Sequence, residues 1–112
     1  MHGFIGHANE HIFFNGAKFF GEKGFDTFRF SLYSGGDKKV RHFRDARISL
    51  HGKDITTIVK NFRKKYKKIY VVGHSYGGTS LLFVDQSIID GFVFWDASYV
   101  GPKDTKEDIK YN

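Results

Sequence analysis

K68-IYVVGHSYGGTSLLFVDQ-S87, running from Lys68 to Ser87, is a short apolar run, a serine flanked by glycines, and a second apolar run. Ile69, Tyr70, Val71 and Val72 are β-branched or aromatic and carry no charge, which predicts a strand buried on both faces of a parallel sheet. The run that follows is compatible with a helix, so Ser75 stands at the apex of a strand-turn-helix unit. Gly73 and Gly77 lie two residues on either side of it, where a sharp turn leaves no space for side chains, and Gly78 follows where close packing is needed. Such a turn lifts a hydroxyl above the sheet and aims the first N–H groups of the helix at the place where an oxyanion would form. An inert serine in a glycine-rich turn would be spelled the same way. The strand before the motif and the helix after it favour the chemical reading.

Outward from this unit the apolar pattern alternates between helical and strand periods. Residues 53–66 predict a helix, since Ile55, Ile58, Val59, Phe62 and Tyr66 recur at three- and four-residue steps while Lys60, Arg63 and Lys64 point away. Upstream, residues 9–23 predict a second helix with Phe13, Ala17 and Phe20 on its buried stripe, ended by Gly24 in a left-handed cap. Residues 25–33 alternate, Phe28, Phe30 and Leu32 against Thr27, Arg29 and Ser31, which predicts a strand with one drier face. Residues 34–52 read as a long surface connection with a short turn of structure near Ile48. Downstream, residues 91–95 are another short apolar strand ending at Asp96. The resulting order of loop, helix, strand, helix, strand, helix, strand predicts an α/β fold, mainly parallel, with right-handed crossovers and helices on both faces. Active sites of such sheets lie at the carboxyl ends of the strands, where Ser75 and Asp96 both fall.

Composition narrows the class. At 112 residues the chain is one domain, and 13 Phe with 6 Tyr supply the bulk for a core. The absence of cysteine excludes disulfides, thiolate chemistry and Cys-based zinc sites, and suits a cytoplasmic location. No apolar run approaches bilayer length and no signal-peptide pattern opens the chain, so no membrane association is expected. The net charge of +6 includes the run Arg63 to Lys68. A basic nucleic-acid-binding module, with Tyr66 stacking on bases, is one reading of that run. A solvated helix end is the preferred one, because Tyr66 also completes the helix stripe. His7 and His11 are four residues apart, yet no third ligand accompanies them, so no metal and no cofactor are expected.

These motifs together resemble the α/β-hydrolase superfamily of serine hydrolases. The residues that carry the resemblance are Gly73-His74-Ser75-Tyr76-Gly77-Gly78, the His2-Gly3-Phe4 loop one helix-strand-helix unit upstream, and the strand end Phe94-Trp95-Asp96. The resemblance covers residues 1–100 as a partial core of a three-layer sandwich, with 101–112 a charged tail where a cap or lid segment would begin. It implies that Ser75 is the nucleophile and that the backbone N–H groups of Phe4 and Tyr76 form the oxyanion hole. Gly3, Gly73, Gly77 and Gly78 are then the loop and elbow glycines, and Asp96 occupies an alternative position for the acid.

The implied function is hydrolysis of an ester, thioester or amide in a small acyl substrate through an acyl-enzyme. The chain departs from the family pattern in having no histidine where the family places its base. It also lacks the strand that in the family precedes the His2-Gly3 loop and inserts between the strands expected at 25–33 and 68–72. A truncated or central piece of a longer hydrolase, catalytically incomplete on its own, is the alternative. A sheet with that slot unfilled would be open to self-association.

Overall fold

Two five-residue strands hold the centre: β1 (Tyr70–His74) and β2 (Gly91–Trp95) pair in parallel, with Tyr70 opposite Gly91 and His74 opposite Trp95. The computed structural model describes residues 1–3, 6–33 and 41–97. Around this sheet lie three helices, α1 (His11–Glu22), α2 (Ile48–Arg63) and the short α3 (Tyr76–Ser80), followed by single 3-10 turns at Leu81–Phe83 and Gln86–Ile88. The architecture is therefore mixed α/β, with helices against a small parallel sheet. Among the described residues no helix is long and apolar enough to cross a membrane.

The connection between β1 and β2 is compressed. The apolar run after Ser75 makes one α-helical turn and two 3-10 turns instead of one long helix, because Val84 turns extended and Asp85 then caps the next turn by accepting from Ser87 N. The other helix boundaries differ from expectation as well. α2 begins at Ile48, five residues before the predicted start, and its buried stripe is Ile48, His51, Gly52, Ile55 and Val59. It ends at Arg63, and Lys65 and Tyr66 both turn their N–H groups back to Phe62 O in a closing turn. α1 matches its predicted span to within two residues and Gly24 takes φ +89 after it, but only Phe13 on this helix is buried. Ala17 is half-buried and Phe20 exposed, so the expected stripe is used at one end alone.

Residues 25–33 do not form a strand, which corrects the prediction. Among the described residues the segment has no strand neighbour, and its backbone and side-chain groups bond instead to the N-terminal loop. Leu32 N–H donates to His2 Nε2 at 2.8 Å, Ser31 Oγ accepts from Ala8 N, and Arg29 donates to Ala8 O. Alternation of apolar residues records a face that is buried, here by Leu32 and half-buried Phe30, and does not by itself supply a ladder.

The core is Leu32, Ile48, Ile55, Val59, Leu81, Val84 and Ile89, with Val71 and Phe92 of the sheet packed on it. Those two residues mark one face of the sheet. The opposite face carries Tyr70, Val93 and Trp95, all exposed, with Phe13 of α1 meeting His74 at 6.0 Å. The prediction that β1 is buried on both faces is thus corrected for Tyr70. Along the edge of β1 away from β2, Met1 N donates to Val72 O at 2.7 Å and Met1 O accepts from His74 N at 3.1 Å, so the first residues run beside the end of the strand.

One carboxylate ties α2 to both strands. Asp90 accepts from Ile69 N at 2.8 Å, from Arg63 Nη2 at 2.7 Å and from Lys68 Nζ at 3.5 Å. These donors, the Ile69 N–H first, lower the Asp90 pKa. Arg63 also donates to Ile88 O and Lys67 O, and Tyr66 OH donates to Asp26. Within the basic run, Arg63 and Tyr66 are therefore occupied by the fold.

Helix α2 can approach the turn after α3 because Gly52 has no side chain. A Cβ there would lie 2.5 Å from Phe83 Cβ and 2.6 Å from Phe83 O, and the second contact is backbone, which cannot rotate away. Gly52→Ala is expected to destabilise the fold by about 2 kcal/mol or more, read as a lower urea midpoint, although alanine is the better helix former. An unchanged or raised midpoint would show that α2 does not press on this turn.

Candidate active site

Ser75 joins β1 directly to α3, and its backbone sits at φ 49°, ψ −121°. This region is costly for an L-residue with a side chain, by about 1–3 kcal/mol, and persists only where the surroundings enforce it. Three hydrogen bonds do so: Ser75 N donates to Trp95 O at 3.0 Å, and Ser75 O accepts from Thr79 N at 3.1 Å and Thr79 Oγ1 at 3.5 Å. The strand end, the turn and the first helical turn are thereby locked together.

The glycines set how closely the chain can wrap. A Cβ on Gly73 would lie 2.7 Å from Gly77 O, one on Gly77 would lie 2.4 Å from His2 O, and one on Gly78 would lie 2.6 Å from Ala97 Cβ. The turn is thus pressed against the N-terminal loop on one side and the end of β2 on the other. Gly3 completes the enclosure, since a Cβ there would be 3.1 Å from Ser75 Cβ. The predicted loop and the predicted elbow, seventy residues apart in sequence, are brought into contact. Tyr76 provides the first N–H of α3. Phe4, the other expected donor, lies outside the described residues, as does the segment 101–112.

Asp96 follows β2 as Ser75 follows β1, each one residue beyond the last pair of the register, His74 opposite Trp95. Asp96 also has positive φ, 47°, and the two are the only non-glycine residues with positive φ among those described. Asp96 is exposed. Among the described residues Ser75 Oγ makes no hydrogen bond, so no base is engaged with it.

His74, at the end of β1 beside Ser75, is half-buried, and its Nδ1 has no hydrogen-bond partner among the described residues; the other five histidines separate into two groups. His7 and His42 are exposed and each takes a neighbouring backbone N–H on Nδ1, from Asn9 and Arg44. His11 opens α1 on its exposed side, and no cluster of three metal-ligating residues occurs among the described residues. His2 and His51 are wholly buried. His2 Nε2 accepts from Leu32 N, which leaves the proton on Nδ1 to be donated to Gly3 O at 2.8 Å. Gly3 O accepts also from Tyr33 OH at 3.4 Å and from Gly6 N at 3.1 Å. Three donors on one carbonyl fix the orientation of the loop against Ser75.

His51 and Tyr33 were not expected at the site. The His51 ring lies 5.6 Å from that of Tyr33 and 5.3 Å from that of Tyr76, directly under the elbow. Neither of its nitrogens has a hydrogen-bond partner among the described residues. The signal in the sequence was the spacing of Ile48, His51, Gly52 and Ile55, legible once the helix is begun at Ile48. No protein-family model, curated protein or solved structure matches the chain, so the resemblance to hydrolases rests on these residues alone.

Burial lowers the pKa of His51 from 6.5 to about 4, with the Arg41 cation adding to the effect and Asp54 opposing it. Burial lowers that of His2 as well. The unfolded chain takes up a proton on His51 as pH falls below 6.5, whereas the folded chain resists until about 4. Stability is therefore full above the unfolded pKa and declines through this window, by about 3 kcal/mol at its lower end. Urea unfolding at pH 7 and pH 5 should show a loss of about 2 kcal/mol in the wild type. His51→Leu should remove more than half of that loss, and an unchanged pH dependence in the variant would assign the effect elsewhere.

Proposed function

We propose that the protein is a serine hydrolase of the α/β-hydrolase type, acting on an ester, thioester or amide through Ser75. The observation that carries this reading is the backbone of Ser75, held at positive φ between the carboxyl end of a parallel strand and a helix, with Gly3 against its Cβ. A strained residue maintained by several independent contacts points to a use for the strain. Here the use is to project a nucleophile from the sheet toward backbone donors. The wider α/β-hydrolase layout belongs to the same proposal. In it the sheet extends beyond β1 and β2, and α1 covers one face while α2 and α3 cover the other.

In this mechanism Ser75 Oγ adds to the substrate carbonyl carbon while its proton passes to a base. The electron pair of the C=O bond moves onto oxygen, where the backbone N–H groups of Tyr76 and Phe4 receive it. Collapse of the tetrahedral intermediate breaks the bond to the leaving alkoxide, thiolate or amine, which takes up a proton, and water later cleaves the acyl-serine. Asp96, which follows the end of β2 as Ser75 follows the end of β1, is the group assigned to proton transfer or to orienting a base. Nothing in this scheme calls for a metal or cofactor.

A second reading has its own observation in favour. Because Ser75 Oγ has no hydrogen-bonded base among the described residues, the chain can be an α/β-hydrolase-like unit that is acylated without turning over.

A fluorophosphonate probe should label the folded protein at Ser75 and leave Ser75→Ala unlabelled. Steady release of nitrophenol from an activated ester, lowered about 100-fold by Asp96→Asn, supports the full hydrolase. A stoichiometric burst with no further release supports the second reading. A folded protein that is not labelled at all rejects both.

A further inference from the structure

His74 directly precedes Ser75, and its backbone N–H donates to Met1 O at 3.1 Å while that of Ser75 donates to Trp95 O at 3.0 Å. Two neighbouring residues are thus pinned to opposite sides, one to the N-terminal loop and one to the end of β2. The imidazole of His74 is pinned as well. The Phe13 ring of α1 and the Trp95 ring of β2 each lie 6.0 Å from it, edge to face. The third contact is Gly3, where a Cβ would lie 3.2 Å from His74 Nδ1 and 3.1 Å from Ser75 Cβ. The Cβ of the serine and the imidazole nitrogen therefore border one narrow space, the one that the missing side chain of Gly3 leaves.

His74 Nδ1 is buried and has no hydrogen-bond partner among the described residues. A buried N–H left without an acceptor is rarer in native structures than an acceptor left without a donor. The ring proton is therefore placed on Nε2, and Nδ1 keeps a free lone pair. The other buried histidines do not meet this space. Both nitrogens of His2 are engaged, with Leu32 N and Gly3 O, and His51 lies against the rings of Tyr33 and Tyr76.

We propose that His74 is the general base of the site, its Nδ1 taking the proton of Ser75 Oγ. The proposal rests on the reading of Ser75 as a nucleophile and supplies the proton acceptor which that reading leaves open. Ser75 Oγ holds no hydrogen bond among the described residues, so turning it about the Cα–Cβ bond toward Nδ1 breaks none. Hydrogen bonds of this kind often tighten only once substrate is bound.

As Oγ bonds to the substrate carbonyl carbon, its proton moves to Nδ1 and the electron pair of the C=O bond moves onto oxygen. The imidazolium, now protonated on both nitrogens, gives the Nδ1 proton to the departing alkoxide, thiolate or amine. In the second half Nδ1 takes a proton from water as the water oxygen adds to the acyl carbon, and returns it to Ser75 Oγ as the acyl bond breaks. Water is the one co-reactant.

The rate of fluorophosphonate labelling at Ser75 reads the first proton transfer. His74→Asn sets an amide group near the place of Nδ1, able to hold a hydrogen bond but not to take a proton. The variant should keep the circular dichroism of the wild type and label at least ~100-fold more slowly. A folded variant slowed less than ~10-fold would overturn the base and leave the hydrolase reading standing. A folded wild type that is not labelled rejects that reading, and the base with it. Histidine nitrogen NMR of the wild type decides the assignment even where the variant does not fold: Nδ1 of His74 should be the unprotonated nitrogen of a neutral ring, and a proton on Nδ1 would overturn the proposal.

Discussion

The turn around Ser75 exists because four segments approach one another more closely than any Cβ permits. The end of β1, the start of α3, the N-terminal loop and Ala97 just beyond β2 meet at Gly73, Gly77 and Gly78, where added methyl groups would lie 2.4–2.7 Å from their neighbours. No other residue type satisfies that geometry, and once it is satisfied the conformation of Ser75 is largely imposed by what surrounds it. The parallel pairing of β1 and β2, the position of Gly3 and the direction in which α3 leaves the sheet all follow from the same close contact. The site is thus a property of backbone packing before it is a property of side chains.

Some of this was legible in the sequence and some was not, and the division has physical causes. β2, the turn at Ser75 and the contact between the His2-Gly3 loop and the elbow could be read because each depends on residues with few alternatives: glycines at fixed spacing and short uncharged apolar runs. Residues 25–33 could not be read correctly because alternation reports which side is buried, and the hydrogen-bond partners of Leu32 and Ser31 are a histidine ring and a loop amide that no local pattern announces. The early start of α2 was obscured by Gly52, a poor helix former that here permits contact with Phe83, and by His51, a polar letter in a buried stripe. In both places tertiary contact overrode propensity.

The polar groups of the fold act as fasteners rather than as surface decoration. Asp90 gathers a backbone N–H and two cations at the start of β1, and Gly3 O gathers three donors at the other end of the site. Between them the sheet packs one face on the core, while Tyr70, Val93 and Trp95 on the other face are exposed. Stability and exposure are therefore unevenly distributed, with the hydrogen-bonded ends of the strands firmly set and Phe94 and Trp95 of β2 exposed to water.

The bond from Met1 to Val72 spans 71 positions along the chain, whereas the bond from Asp90 to Ile69 spans 21. Closing the longer loop costs more chain entropy and is repaid only after the nearer contacts exist. The strand pair and α2 can therefore assemble as one unit while the N-terminal loop is still searching. The enclosure of Ser75 thus rests on the contact that closes the longer of these two loops. Uncovering Ser75 on that side therefore means breaking the bonds of Met1 to the edge of β1, and it leaves the pairing of β1 with β2 untouched.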